Sequence, residues 1–79
     1  MYYVYLLESK KYRNKHYTGF TSDLVKRLKK HNNGEVKHTS KFKPWKLTVY
    51  LGFEDEQKAL DFERYLKSHS GRAFIKKHF

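Results

Sequence analysis

The chain opens on Tyr2 to Ser9, YYVYLLES, with apolar or aromatic residues at both odd and even positions. Strand formers placed that way suit a central strand covered on two faces. KKYRNK (10–15) supplies a polar turn and HYTGF (16–20) returns as a second strand, so a hairpin is the economical reading. Thr21 or Ser22 is expected to cap a helix with Asp23 in its first turn and a body from Leu24 to about His31, stopped by Asn33-Gly34. Glu35 to Lys46 reads as a polar, basic connection that holds the only proline, Pro44, beside the only tryptophan, Trp45. KLTVYLGF (46–53) follows as a third strand with Leu47, Val49, Leu51 and Phe53 on one face. Glu54, Asp55 and Glu56 place negative charge where a helix N-terminus favours it, and Ala59, Leu60, Phe62 and Leu66 recur at helical spacing. Gly71 ends this helix or begins the next, and RAFIKKHF (72–79) forms a short basic helix whose Phe74 and Ile75 pack back. The order is β-β-α-β-α-α, an α+β chain. No repeat or linker divides it, so residues 1–79 are read as one domain.

At 79 residues a core is small and stability depends on good packing. The sequence contains no cysteine, which removes disulfides, thiolate zinc sites and cysteine nucleophiles, and a reducing, cytoplasmic setting fits. No signal-like segment or bilayer-spanning run occurs, so a soluble protein without membrane contact is expected. Charge changes the picture most. The formal net charge is +10, and residues 1–53 carry 12 basic and 3 acidic side chains against 6 and 5 in residues 54–79. A polyanion is the expected partner. One Trp, seven Tyr and six Phe provide a core, and any left exposed can stack on bases.

Two helix positions carry candidate chemistry. On a wheel of about 100° per residue, Leu24, Val25 and Leu28 share one arc, Lys26, Lys29 and Lys30 point away, and Arg27 and His31 lie one turn apart on the edge of the arc. Arg27 can simply pair with Asp23, and His31 can answer the helix dipole. In the last third of the chain, Glu63 falls between Ala59 and Leu60 inside the apolar stripe. A carboxylate there must be protonated, be paired with a cation such as Lys67 four residues on, or ligate a metal.

Tyr5 and Tyr17 stand on neighbouring predicted strands, and Gly19 leaves room there for a ligand or another backbone to approach. Two tyrosines, an open glycine, an arginine and one intrusive carboxylate suggest a site for a phosphodiester. Arg27 would clamp the phosphate, and Glu63 would hold a hard divalent cation that keeps most of its waters. A tyrosine would orient or deprotonate the attacking water.

In this order the residues resemble the GIY-YIG nuclease superfamily, in particular its small stand-alone branch related to the nuclease modules of excision repair and of intron homing. Tyr3-Val4-Tyr5 matches the first motif and Tyr17-Thr18-Gly19 the second. Arg27, His31 and Glu63 match the helix arginine, the His or Tyr one turn later and the metal-binding glutamate. The resemblance implies a three-stranded antiparallel sheet flanked by helices and a magnesium- or manganese-dependent endonuclease, acting on DNA rather than RNA in repair, recombination or mobile elements. It implies Tyr17 as first choice for activating water, with Tyr5 supporting it and His31 taking up the phenolic proton. Tyr3 and Thr18 depart from the motif's Gly and Ile; Phe20 stands where larger members can have lysine, and no asparagine follows Glu63. Phosphate binding then depends more on Arg27 and its neighbouring lysines.

Gly19, Lys26 and Lys30 are the expected nucleic-acid contacts near the site. The connection HTSKFKPWK (38–46) adds Lys41, Lys43 and Lys46 interleaved with Phe42 and Trp45. Trp45 is itself expected in the core, since a small domain rarely exposes its only tryptophan. The alternative to an enzyme is a binding module of the same fold that holds nucleic acid with a protein partner.

Overall fold

The computed structural model describes residues 1–79. Strand β1 (Tyr2–Ser9) lies at the centre of a three-stranded sheet, flanked by β2 (His16–Thr21) and β3 (Trp45–Phe53), both antiparallel to it. Helix α1 (Leu24–Asn32) follows β2; α2 (Glu56–Lys67) and α3 (His69–His78) follow β3. The apolar residues of both parities in β1 serve two separate cores. Val4 and Leu6 meet Ala59 and Leu66 of α2, with Phe74 and Ile75 of α3 packed against them. Tyr5 and Leu7 face the other way, onto Trp45, Leu24 and Leu28. The sheet thus separates an α2/α3 layer from a layer made by α1 and the 35–44 connection.

Local chemistry sets the boundaries. Asp23 caps α1, its carboxylate accepting from the Lys26 N–H, where Thr21 or Ser22 was the expected cap. Thr21 is buried instead, its hydroxyl accepting from the Asp23 N–H. Gly34, with φ 75°, takes the left-handed turn after α1 that a side chain would disfavour. Asp55 caps α2 through the Gln57 and Lys58 N–H groups. Ser68 both ends α2 and caps α3, so Gly71 lies in the first turn of α3, the second of the two places open to it.

The third strand corrects the expectation of one continuous apolar face. The pairing with β1 shifts between Leu6 and Leu7: Val49 opposes Leu6, but Leu47 opposes Leu7. The extra residue, Thr48, turns Leu47 and Trp45 toward the α1 layer while Val49 and Phe53 stay with α2. Its hydroxyl donates to the Leu6 carbonyl at 3.1 Å. Trp45 is 3% exposed, in the core as expected. No helix is long and apolar enough to cross a membrane.

Candidate active site

The hairpin register creates the site. Tyr5 pairs with Gly19 and Leu7 with Tyr17, so both tyrosines stand on the α1 side of the sheet, their rings 6.2 Å apart. The space at Gly19 is taken by a neighbour: a Cβ there would overlap the Tyr5 ring and hydroxyl. The glycine lets the phenol lie across β2, and it does so as a buried residue.

His31, fully buried in the last turn of α1, joins the two rings. Its Nε2 lies 2.8 Å from the Tyr5 hydroxyl, and its ring centre is 5.0 Å from that of Tyr17. Its Nδ1 lies 2.7 Å from Thr39 Oγ1, and that hydroxyl is 3.3 Å from the Val36 carbonyl. A carbonyl only accepts, so one assignment gives every hydrogen an acceptor. Thr39 donates to Val36, His31 Nδ1–H donates to Thr39, and Tyr5 O–H donates to the free Nε2. Burial, with the Arg27 charge added, lowers the His31 pKa to about 4 and keeps the ring neutral in this chain. Burial first, then Tyr17, pushes the Tyr5 phenol well above its ordinary value; Arg27 pulls it down and Glu63 pushes it up.

Arg27 is half-buried on the edge of α1, and no carboxylate pairs with it. The surface pair with Asp23 does not form, because Asp23 is engaged as the helix cap. The guanidinium is left with a charge that acts on both Tyr5 and His31. Glu63 comes from α2, the helix that also contacts β2, and its side chain is 18% exposed. It forms an ion pair with Lys67, one of the alternatives open from its helical position, and is close enough for its charge to act on Tyr5.

No group of three or more His, Asp or Glu side chains gathers into a metal cage. A half-buried single carboxylate that already attracts a cation fits an ion such as magnesium, which keeps several waters and takes its remaining ligands from a bound phosphate.

Lys26, Lys30, Lys41, Lys43 and Lys46 are all exposed. Lys46 lies 4.0 Å from Glu8, while the Lys43 ammonium rests beside Gly34 at the end of α1. Thr39 was not singled out from the sequence. It sits in a polar connection, and only the fold shows that the connection returns to α1. That return is fixed by Asn32, which accepts from the Trp45 N–H at 2.6 Å, and by the Trp45 indole, which donates to the Thr39 carbonyl at 2.9 Å.

A family model described as the GIY-YIG catalytic domain matches residues 1–77. The chain belongs to the GIY-YIG family. A UPF0213 protein of Clostridium perfringens is 43% identical over 68 residues, which is 85% of this chain and 71% of that protein. A structure-specific endonuclease subunit SLX1 homolog of Drosophila persimilis is 42% identical over 71 residues; the match spans 78% of this chain and only 24% of that protein. The solution NMR structure of a UPF0213 protein from Bacillus halodurans superposes with a TM-score of 0.57 at 32% identity, covering 98% of this chain and 84% of that one. The segments that resemble the two motifs naming the family, Tyr3–Tyr5 and Tyr17–Gly19, are paired in the sheet, with Tyr5 against Gly19.

Proposed function

We propose that the protein is a metal-dependent endonuclease that hydrolyses phosphodiester bonds in DNA. The observation that carries this reading is the convergence of Tyr5, Tyr17 and His31 on one spot where the charges of Arg27 and Glu63 also act. An unpaired guanidinium whose charge reaches the Tyr5 phenol and His31 is a place for a phosphodiester anion. DNA is preferred over RNA on the resemblance to repair and homing nucleases.

Glu63 would hold magnesium or manganese, which when bound supplies positive charge to a phosphoryl oxygen and lowers the pKa of water. Arg27 binds the non-bridging oxygens and stabilises the charge that grows on them. Tyr5 takes a proton from the attacking water as it passes its own to His31 Nε2, which becomes a better acceptor once the bound phosphodiester offsets the Arg27 charge that helps to lower its pKa. The water oxygen bonds to phosphorus, the bond to the leaving sugar oxygen breaks, and that oxygen takes a proton from solvent. Tyr17, half-buried beside the same histidine, orients the water. The proton relay is assigned to Tyr5 over Tyr17, the first choice from the resemblance, because Tyr5 has the 2.8 Å acceptor. With so small a domain, strand or junction preference would come from a protein partner, as the word subunit in the name of the Drosophila relative suggests.

Glu63→Ala tests the reading. Cleavage of labelled oligonucleotides in magnesium or manganese should fall to the EDTA background. Melting temperature should hold and affinity should stay within about threefold of wild type, because lysines supply most of the binding. Undiminished cutting by the variant would refute it.

A further inference from the structure

A cleft of about 710 Å³ opens beside the candidate active site, where the end of β1 and the start of β2 meet α2 and α3. Leu6 and Leu66, both buried, form its floor, and Ile75 and Phe79 form an apolar wall. Exposed Lys67, Arg72 and Lys76 stand on its rim, and its one acid, Glu8, faces Lys46 at 4.0 Å. Thr18, which stands where the motif name has isoleucine, adds a hydroxyl. Two residues belong to both places: Tyr17 lines the cleft and holds its ring tilted against that of His31, and Lys67 lines the cleft and pairs with Glu63.

We propose that this cleft binds an unpaired nucleotide of the DNA strand, next to the phosphodiester that is cut. Its base lies on the apolar floor and its phosphate among Lys67, Arg72 and Lys76. The volume falls in the range of about 300–1,000 Å³ common to small-ligand sites. A slot with an apolar floor and a cationic mouth complements a flat base joined to an anionic group. Continuity through Tyr17 and Lys67 places that ligand on the strand being cut. A base inside a duplex is stacked and paired and does not reach such a floor without leaving the helix, so the cleft favours single-stranded or opened DNA over closed duplex. The proposal rests on the nuclease reading for its substrate.

Its test measures binding in EDTA, where nothing is cut. Anisotropy of a labelled single-stranded 12-mer and of its duplex is followed for wild type, for the double variant Arg72→Ala with Phe79→Ala, and for Lys58→Ala, which removes a charge outside the cleft. Both residues of the double variant are exposed, so folding is spared. Single-strand affinity should drop about tenfold or more in the double variant, as loss of a stacked base and a phosphate contact does, and duplex affinity should change by less than about threefold. A 4-thiothymidine strand should crosslink to the peptide carrying Ile75 to Phe79. Equal losses on both substrates, or unchanged single-strand affinity, would overturn the proposal. If wild type cuts in magnesium yet gives either of those results, the cleft falls and the nuclease stands. If the strand-selective loss appears but wild type never cuts, the cleft stands and the nuclease falls.

Discussion

His31 is where a single residue links chemistry to stability. Buried between Tyr5 and Thr39 and close to the Arg27 charge, it resists protonation until about pH 4, against an ordinary value of 6.5. Above pH 6.5 the imidazole is neutral in both folded and unfolded chains. As pH falls below that, the unfolded chain gains a proton that the folded one refuses, so folding loses roughly 3 kcal/mol by pH 4 and little more from this group below it. Urea denaturation of wild type from pH 7 to 4 should show that loss, and His31→Gln should be less stable at pH 7 but flatter across the window. Equal slopes in the two proteins would mean that His31 is not held neutral by the fold. Arg27, His31 and Glu63 were legible as candidates because helical spacing puts them on or beside an apolar arc. Thr39 was not, because its role comes from a tertiary return of the chain that has no periodicity. The partner of Asp23 was hidden for a related reason: a carboxylate at the start of a helix can serve Arg27 or the backbone, and here it accepts from the Lys26 N–H.

Among the elements, the α2–α3 junction depends most on one sequence choice. Ser68 ends one helix and caps the next through the Gly71 N–H, and a Cβ at Gly71 would run into the Tyr65 carbonyl and the Leu66 backbone. Those are backbone atoms that cannot swing aside, so Gly71→Ala should cost about 3 kcal/mol or more. At about 4–8 °C per kcal/mol for a domain of this size, the melting temperature should fall by more than about 10 °C. Ser68→Ala, which removes a cap, should cost only about 1 kcal/mol, and the ordering of the two variants is the check: a milder glycine variant would show that the junction relaxes. The sequence marked a break near Gly71 but could not tell a helix stop from a tight helix–helix approach, since glycine serves both. The bulge at Thr48 was hidden for another reason. Leu47, Val49, Leu51 and Phe53 alternate as one uninterrupted face would, and an inserted residue that sends Leu47 to the other layer leaves the spelling unchanged. The two-sided β1, by contrast, was legible directly from apolar residues at both parities.

On the scale of the whole molecule the governing quantity is charge, and it was readable without any fold because composition alone fixes it. The net +10 is concentrated in residues 1–53, and the fold leaves Lys26, Lys30, Lys41 and Lys43 exposed without a carboxylate partner. Lys46 differs, being opposed by Glu8 at 4.0 Å. On duplex DNA, which does not reach the cleft, each phosphate neutralised contributes about −0.9 to the slope of log affinity against log salt. With those four lysines and Arg27 engaged, the slope should be about −4 to −5, and affinity should fall several hundredfold or more between about 50 and 200 mM salt. Lys41→Ala with Lys43→Ala should make the slope shallower by about 2, whereas Lys46→Ala should change it by less than 1, because Glu8 already offsets that charge. Anisotropy titrations across salt in EDTA separate these cases without cleavage. A flat slope in the parent protein would leave the basic half without a polyanion to meet, and a full unit lost on removing Lys46 would show that bound DNA outcompetes Glu8 for the ammonium.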